Sequence, residues 1–167
     1  MLVTNNAKWA ARAKYLTTQA KDDPIEYVHH TIGYNYRLTN IQAAVGCAQM
    51  EQLDTYVEAK RQIAVRYQEA LSGLPGLRLP EAADWAFSTF WMYTVLVDEA
   101  VAGVDSRQLL NHLAAQLIQA RPLWQPLHRS PAQDATGSPP CPNSEALFQR
   151  GLSLPCSVGL SGEQQTS

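Results

Sequence analysis

A short segment near the start of the chain, Gly33-Tyr34-Asn35-Tyr36-Arg37, carries two side chains rich in hydrogen-bond donors. The Asn35 amide donates through its NH2 group, and the planar Arg37 guanidinium offers a fork of donors that suits anionic groups. Taken as isolated residues, Asn35 is better explained as a turn residue and Arg37 as an exposed charge or a structural ion pair. Arg37 nevertheless stands close to a predicted helix start, where a cation is unfavourable, and this placement indicates a specific role.

Metal chemistry is not predicted. His29 and His30 are neighbours and do not share a face, and no set of cysteine or carboxylate ligands accompanies them. We expect them to be hydrogen-bonding loop residues. Cys47, Cys141 and Cys156 show no C-x-x-C spacing, which predicts reduced thiols rather than a disulfide framework or a zinc site.

The composition narrows the class of protein. With 167 residues the chain has room for one domain of ordinary size. The net charge is −2 and the basic residues are scattered, so nucleic-acid binding is not expected. No run of about 18 apolar residues is present, and the first residues do not resemble a signal peptide. We therefore expect a cytoplasmic protein that binds no membrane.

The first part of the chain predicts helices around a loop. Residues 2–4 favour a short strand, and Asn6 is placed to cap a helix from Ala7 to about Gln19. A loop follows as far as Arg37. Thr39-x-x-Gln42 has the form of a capping box. It opens an apolar stripe with three- and four-residue steps, which predicts one long helix ending near Ser72-Gly73.

The remainder alternates strands and helices. Predicted strands cover residues 77–79 and 90–97, the second apolar on both faces and expected to be buried on both. Asp105 caps a predicted helix over 106–119, with an inner face of four leucines, and another strand is needed near 118–124. Residues 126–142 predict irregular structure, residues 144–150 helical turns, and Ser161 the cap of a last helix. The fold class is α+β, a long helix packed with a small, mainly antiparallel sheet and further helices.

The segment from His30 to Ala44, which includes Gly-Tyr-Asn-Tyr-Arg-Leu-Thr-Asn-Ile-Gln-Ala-Ala, closely resembles the signature of the DegT/DnrJ/StrS nucleotide-sugar aminotransferases. The likeness continues through 48–54, 118–128 and 152–157 and so covers nearly the whole chain. Members of that family use pyridoxal phosphate, and they place a small α/β domain after a large fold-type-I domain. The resemblance implies that residues 1–37 are the end of the large domain with its active-site loop, and that residues 38–167 are the small C-terminal domain.

The same resemblance assigns roles to individual residues. Asn35 matches an asparagine that hydrogen-bonds the cofactor phosphate of the neighbouring subunit, and Arg37 matches a contact with anionic groups of the active site. Arg121, Trp124 and His128 match a segment bordering the sugar-nucleotide pocket, although Trp124 could equally be core and His128 an ordinary surface residue. Leu117 replaces the usual glycine of this segment, which puts the local turn in doubt.

By this resemblance, the family's Schiff-base lysine would lie upstream of Met1, and none of Lys8, Lys14, Lys21 and Lys60 matches it. No catalytic residue is therefore predicted in this chain. We also expect that both ends of the chain are truncated. Three hypotheses follow. The chain is a fragment of a glutamate-dependent sugar aminotransferase, inactive and without bound cofactor when alone; an oligomerising or partner-binding remnant; or one half of a split enzyme completed by a separately encoded large domain. A dimer or higher oligomer is expected because the apolar faces of the long helix and strand need a cover.

Overall fold

A computed structural model describes residues 2–23, 25–131 and 139–166, and the chain divides into two compact units, Met1–Gln52 and Leu53–Ser167. These units are defined by the contacts within the chain. The functional division after Arg37 rests on family resemblance and stays a prediction.

The first unit begins with helix α1, Ala7–Thr17. The Asn6 side chain accepts hydrogen bonds from the amides of Lys8 (3.0 Å) and Trp9 (3.3 Å), which confirms the predicted cap. The helix ends two residues before the predicted end at Gln19. The predicted strand at residues 2–4 is wrong, because an apolar β-prone segment forms a strand only when a neighbour pairs with it, and no described residue pairs with this one.

Two helices stand where one long helix was predicted. Helix α2 spans Asn40–Glu51 in the first unit and helix α3 spans Leu53–Leu71 in the second. The capping box is confirmed: the Gln42 amide donates to Thr39 Oγ1 at 3.3 Å, and the Thr39 amide donates to Gln42 Oε1 at 2.9 Å. The break at Gln52 replaces one i−4 bond by tighter turns. It leaves the apolar period unchanged, so the sequence pattern does not reveal it.

The second unit is built on a four-stranded antiparallel sheet with the order β1-β2-β4-β3. Its strands are β1 (Leu77–Arg78), β2 (Tyr93–Val97), β3 (Arg121–Pro122) and β4 (Gly151–Leu154). The register pairs Leu77 with Val97, Tyr93 with Leu154, and Arg121 with Ser153. Three of these strands confirm sequence predictions, but β4 does not. Its four residues follow a helix directly and are too short to show a strand period.

The helices of this unit are α3, α4 (Glu99–Ala102), α5 (Ser106–Ala115), α6 (Pro142–Arg150) and α7 (Gly162–Thr166), with a 3-10 turn at Leu127–Arg129. Buried side chains of α3 pack on buried side chains of the sheet, and the core cluster is Ile63, Ala64, Tyr67, Tyr93, Val95, Ala120 and Leu152. The predicted α+β class is confirmed. Residues 132–138 of the predicted irregular stretch lie outside the described residues.

Strand β2 is shorter than predicted and has one buried face. Phe90 adopts φ 45°, so the regular strand begins only at Tyr93. Buried Tyr93, Val95 and Val97 then alternate with half-buried Thr94 and Leu96. The prediction of burial on both faces is therefore wrong, because both rows of side chains are apolar enough for a core and the sequence does not show which one is covered.

Helix α5 ends at Ala115, before the predicted end at Gln119. Leu117 was predicted on its inner face, but this residue is 95% exposed and adopts φ 63°. Leu117 thus adopts the left-handed conformation that glycine adopts freely. For a residue with a Cβ, this conformation lowers the stability of the fold by about 1–2 kcal/mol.

We expect Leu117→Gly to raise the free energy of unfolding by about 0.5–1 kcal/mol, because the relieved backbone strain exceeds the chain entropy that glycine adds. Urea unfolding measures the change. The control is Leu127→Gly, which removes another exposed leucine (76%) that lies in the 3-10 turn and has no positive φ. Equal destabilisation by both substitutions would contradict the prediction.

Candidate functional site

The segment that carries Asn35 is fixed to the end of α1 by backbone hydrogen bonds. Asn35 forms an antiparallel bridge with Thr18. The Tyr34 amide donates to the Leu16 carbonyl at 2.7 Å, and the Gln19 amide donates to the Tyr34 carbonyl at 3.0 Å. The helix end therefore sets the position of the Asn35 backbone.

Gly33 allows this close approach. A Cβ at this position would lie 2.3 Å from the Ala20 nitrogen and 2.3 Å from the Gln19 carbonyl carbon. Ala20 is fully buried beneath the loop. Gln19 and Ala20 both have positive φ, 73° and 47°, so the tight turn after α1 is strained and is held by its surroundings.

Asp22 connects α1 to the loop from the other side. Its two carboxylate oxygens accept from the Tyr15 hydroxyl at 2.8 and 2.9 Å. The His30 amide donates to Oδ2 at 2.7 Å, and His30 Nδ1 lies 3.0 Å from the same oxygen. His29 Nδ1 lies 2.9 Å from the Gln19 carbonyl oxygen. Both histidines are hydrogen-bonding loop residues, as predicted.

The bonds to Asp22 predict an acid-sensitive loop. The His30 amide, and then the Tyr15 hydroxyl, lower the pKa of Asp22 below its ordinary 3.8, because both stabilise the charged carboxylate. A carboxyl group whose pKa is lower in the folded chain than in the unfolded chain stabilises the fold at any pH above its pKa in the unfolded chain. This contribution is lost as the pH falls through the pKa of the group in the folded chain. We expect hydrogen-exchange protection of the His30 amide to hold down to about pH 4 and to decline below it. Asp22→Asn should remove this pH dependence, and an unchanged profile would contradict the assignment.

The Asn35 side chain is available to a ligand. It is exposed and makes no hydrogen bond to the described part of the chain. It lines an open cavity of about 530 Å³ together with Gln19 and residues 29–33. The flanking Tyr34 and Tyr36 stack on one another, with ring centroids 5.3 Å apart and planes inclined by 15°.

Arg37 follows two residues later and is also exposed, and it has no ion-pair partner among residues 2–23, 25–131 and 139–166. The alternative of a structural ion pair thus gains no support. An unpartnered amide and an unpartnered guanidinium on one extended segment are donors that fit a phosphate group. The residues that line the cavity beside Asn35 include no Phe, Tyr or Trp, and the imidazole rings of His29 and His30 are already hydrogen-bonded within this part of the fold, so the fit concerns the phosphate arm of a cofactor alone.

The other predicted site residues lie in the second unit. Arg121 begins β3, is exposed, and makes no side-chain hydrogen bond or ion pair with the residues described. Trp124 is 71% exposed, so the alternative that it belongs to the core is wrong. Its ring stacks on Trp91, with centroids 6.2 Å apart and planes inclined by 18°.

His128 lies in the 3-10 turn and is not an ordinary surface residue. Its side chain is 18% exposed, and its Nε2 lies 3.0 Å from Glu145 Oε1. The hydrogen bond with His128 is the main cause that lowers the pKa of Glu145 below its ordinary value. Sequence reasoning missed Glu145, which carries no motif, and Trp91, which was counted as part of a strand.

The structure therefore groups the predicted residues in two places. Asn35 and Arg37 lie in Met1–Gln52, and Arg121, Trp124 and His128 lie in Leu53–Ser167. In the described ranges, no three or more His, Cys, Asp or Glu side chains form a group able to hold a metal ion. Nor does any helix within them have the length and apolar character needed to cross a membrane.

Comparison with known proteins identifies the family. Residues 1–167 match the DegT/DnrJ/EryC1/StrS aminotransferase family over their full length. The chain belongs to this family. The family is one of pyridoxal-phosphate-dependent aminotransferases of nucleotide-sugar metabolism, which confirms the resemblance found in the sequence.

Relatives of this DegT/DnrJ/EryC1/StrS chain are much longer than it is. EpsN of Bacillus subtilis (strain 168) is 40% identical over 174 residues, which cover 99% of this chain and 43% of EpsN. GDP-perosamine synthase of Escherichia coli O157:H7 is 37% identical, over 98% of this chain and 43% of the enzyme. The crystal structure of DesV from S. venezuelae matches with a TM-score of 0.80 at 30% identity, over 98% of this chain and 43% of DesV. The chain thus spans less than half the length of these relatives.

Proposed function

We propose that this chain forms the cofactor-phosphate loop and the substrate-facing small domain of a sugar aminotransferase. The enzyme would move an amino group from glutamate to a keto group of a nucleotide-linked hexose. The observation that carries the proposal is the Asn35 amide, which has no partner in the described part of the chain and is held by the bridge to Thr18 at the edge of an open cavity. The cytoplasm remains the predicted compartment.

The two units would divide the work. Asn35 would donate its amide to the cofactor phosphate, and Arg37 would neutralise the charge of the phosphate or of the substrate. Arg121, Trp124 and His128 would contact the nucleotide-linked sugar, with Glu145 holding the His128 ring in place. Pyridoxal phosphate, when bound, would accept electrons as bonds to carbon break and would carry the amino group from the donor to the acceptor.

The four lysines of the chain would not supply the covalent link to the cofactor. Lys60 Nζ donates to the Trp91 carbonyl at 2.9 Å and to Cys156, so it is engaged in the fold. Lys21 Nζ lies 3.7 Å from the centre of the Tyr27 ring. Lys8 and Lys14 are exposed on α1, and no described residue buries their amines as a lowered amine pKa would require. The chemical step would therefore need a lysine from outside these residues.

A second copy of the chain is the partner we propose for α2. No residue of this helix is buried, and its apolar Ile41, Val45 and Met50 are 79%, 59% and 67% exposed. Exposed apolar side chains of this kind favour association. This observation also favours the second candidate function, an oligomerising or partner-binding module without catalysis. Sedimentation at micromolar concentration is expected to show a dimer or larger species. A clean monomer would count against a second copy as the partner of α2 and against the oligomerising module.

A chimera tests the catalytic proposal. The matching stretch of the E. coli GDP-perosamine synthase is replaced by residues 1–167, and glutamate-dependent amination of that enzyme's sugar nucleotide is measured. We expect a folded, active enzyme, because this chain supplies the phosphate loop and the substrate-facing residues. A folded chimera that binds cofactor but transfers no amino group would favour the non-catalytic module. The control for the Asn35→Asp substitution in this chimera is Asn5→Asp, which changes an exposed asparagine of the same unit in the same way.

A further inference from the structure

Two tryptophans form an exposed aromatic surface on the second unit. Trp91 is 63% exposed and Trp124 is 71% exposed, and their rings are close to parallel. Indole rings are buried over most of their surface in the average folded protein. Two of them in contact and open to solvent therefore provide a ready surface for another ring.

The backbone is strained at the position that turns Trp91 outward. Phe90 adopts φ 45°, which is a genuine outlier for a bulky aromatic residue. This bend separates Trp91 from β2, whose regular alternation begins at Tyr93. Such strain persists only where surrounding contacts maintain it, and it concentrates at functional sites.

Two cations of α3 hold the bent segment. Lys60 Nζ donates to the Trp91 carbonyl at 2.9 Å. Arg61 Nη1 donates to the Ser88 carbonyl at 2.7 Å, and the Phe90 amide donates to Ser88 Oγ at 3.2 Å. The Trp91 backbone is thus fixed to the core helix although its side chain faces water. A rigid aromatic surface loses little entropy when a ligand binds.

We propose that Trp91, together with Trp124, forms a stacking surface for the nucleobase of a nucleotide-linked sugar. This inference rests on the proposed function and adds Trp91 as a residue that binds the substrate. A nucleobase presents a flat π-face to an indole and stacks on it whichever base it is. A hexose can also pack a C–H face on an indole, but its hydroxyl groups need several polar partners, whereas the two indoles offer one N–H donor each and the Trp91 carbonyl is already bonded to Lys60.

Isothermal titration calorimetry of the 167-residue chain tests this assignment. The probes are GDP, dTDP, inorganic pyrophosphate and free mannose, and the variants are Trp91→Leu and Trp91→Phe. Trp85→Leu is the matched control, because Trp85 is 90% exposed and no described ring stacks on it. We expect Trp91→Leu to weaken GDP and dTDP binding about tenfold or more, and Trp91→Phe to restore most of the affinity. Pyrophosphate binding and the Trp85→Leu variant should change less than about twofold.

The other possible results distinguish a failure of the nucleobase assignment from a failure of the proposed function. Equal GDP affinity in Trp91→Leu and Trp85→Leu would overturn the stacking role and leave the proposed function in place. Binding of mannose that depends on Trp91, without binding of the nucleotides, would overturn the choice of the nucleobase. If no nucleotide binds while the chimera aminates its sugar nucleotide, the nucleobase surface is wrong and the enzymatic proposal stands. If a folded chimera that binds cofactor also transfers no amino group, both are wrong.

Discussion

Replacing Gly33 by alanine is expected to detach the Asn35 loop from the end of α1. The added Cβ would lie 2.3 Å from backbone atoms of Gln19 and Ala20, and backbone atoms do not yield as the end of a flexible side chain does. Overpacking of this kind costs about 1–3 kcal/mol or more. Hydrogen exchange should show lost protection of the Tyr34 and Tyr36 amides, whose acceptors lie in α1.

The matched control for this prediction is Gly46→Ala in α2. A Cβ at Gly46 meets nothing within 4 Å, and the residue lies inside a helix. Alanine there should stabilise by about 0.5–1 kcal/mol, because it favours the helix more than glycine does. If both substitutions left Tyr34 and Tyr36 equally protected, the close packing of Gly33 would not be what holds the loop.

Asn35→Asp is expected to weaken cofactor binding in the chimera by about 10- to 150-fold. The substitution exchanges the NH2 donor for a carboxylate of similar shape, and a hydrogen bond to a charged group contributes about 1.5–3 kcal/mol. The carboxylate also repels a phosphate. The measurement compares the dissociation constant for pyridoxal phosphate with that for pyridoxal, which lacks the phosphate.

Only the phosphate-bearing ligand should respond to Asn35→Asp, and Asn5→Asp should leave both ligands unchanged. Equal weakening of pyridoxal and pyridoxal phosphate would show that Asn35 acts through the loop fold and not through the phosphate. An unchanged affinity for both would remove Asn35 from the cofactor site.

Local signals in the sequence predicted much of this structure. The caps at Asn6, Thr39 and Asp105 depend on short-range chemistry between neighbouring residues, and all three are confirmed with their hydrogen bonds. The Ser161 cap is confirmed as well, since the Gln164 amide donates to Ser161 Oγ at 3.2 Å. The strands β1 and β2 were found because β-prone residues cluster between turns.

The features that were not predicted from the sequence depend on contacts between residues that are distant along the chain. Strand β4 is identified by its pairing with β2 and β3, and its four residues carry no period of their own. The bend at Phe90 lies in an aromatic run that favours a strand, and contacts with α3 override this propensity. Trp91 was missed for the same reason, because only the bend makes it accessible.

The resemblance to the family predicted more of the candidate site than the chemistry of the individual residues did. Taken as isolated residues, Asn35 and Arg37 favoured a turn and an exposed charge, and only the signature around them pointed to a phosphate. The structure adds physical support, namely a fixed backbone and two donors that have no partner among the described residues. The role of Asp22 in holding His30 was not predicted, because a lone aspartate after a helix gives no signal of its partners.

A titration of the 167-residue chain with pyridoxal phosphate, followed by borohydride reduction and peptide mapping, shows whether any of its lysines forms the covalent link to the cofactor. We propose that these residues bind the phosphate and the substrate, while the covalent link to the cofactor comes from elsewhere. We expect no stoichiometric, site-specific adduct at Lys8, Lys14, Lys21 or Lys60. A single lysine modified in full would contradict it and would show that the chain carries its own anchor for the cofactor.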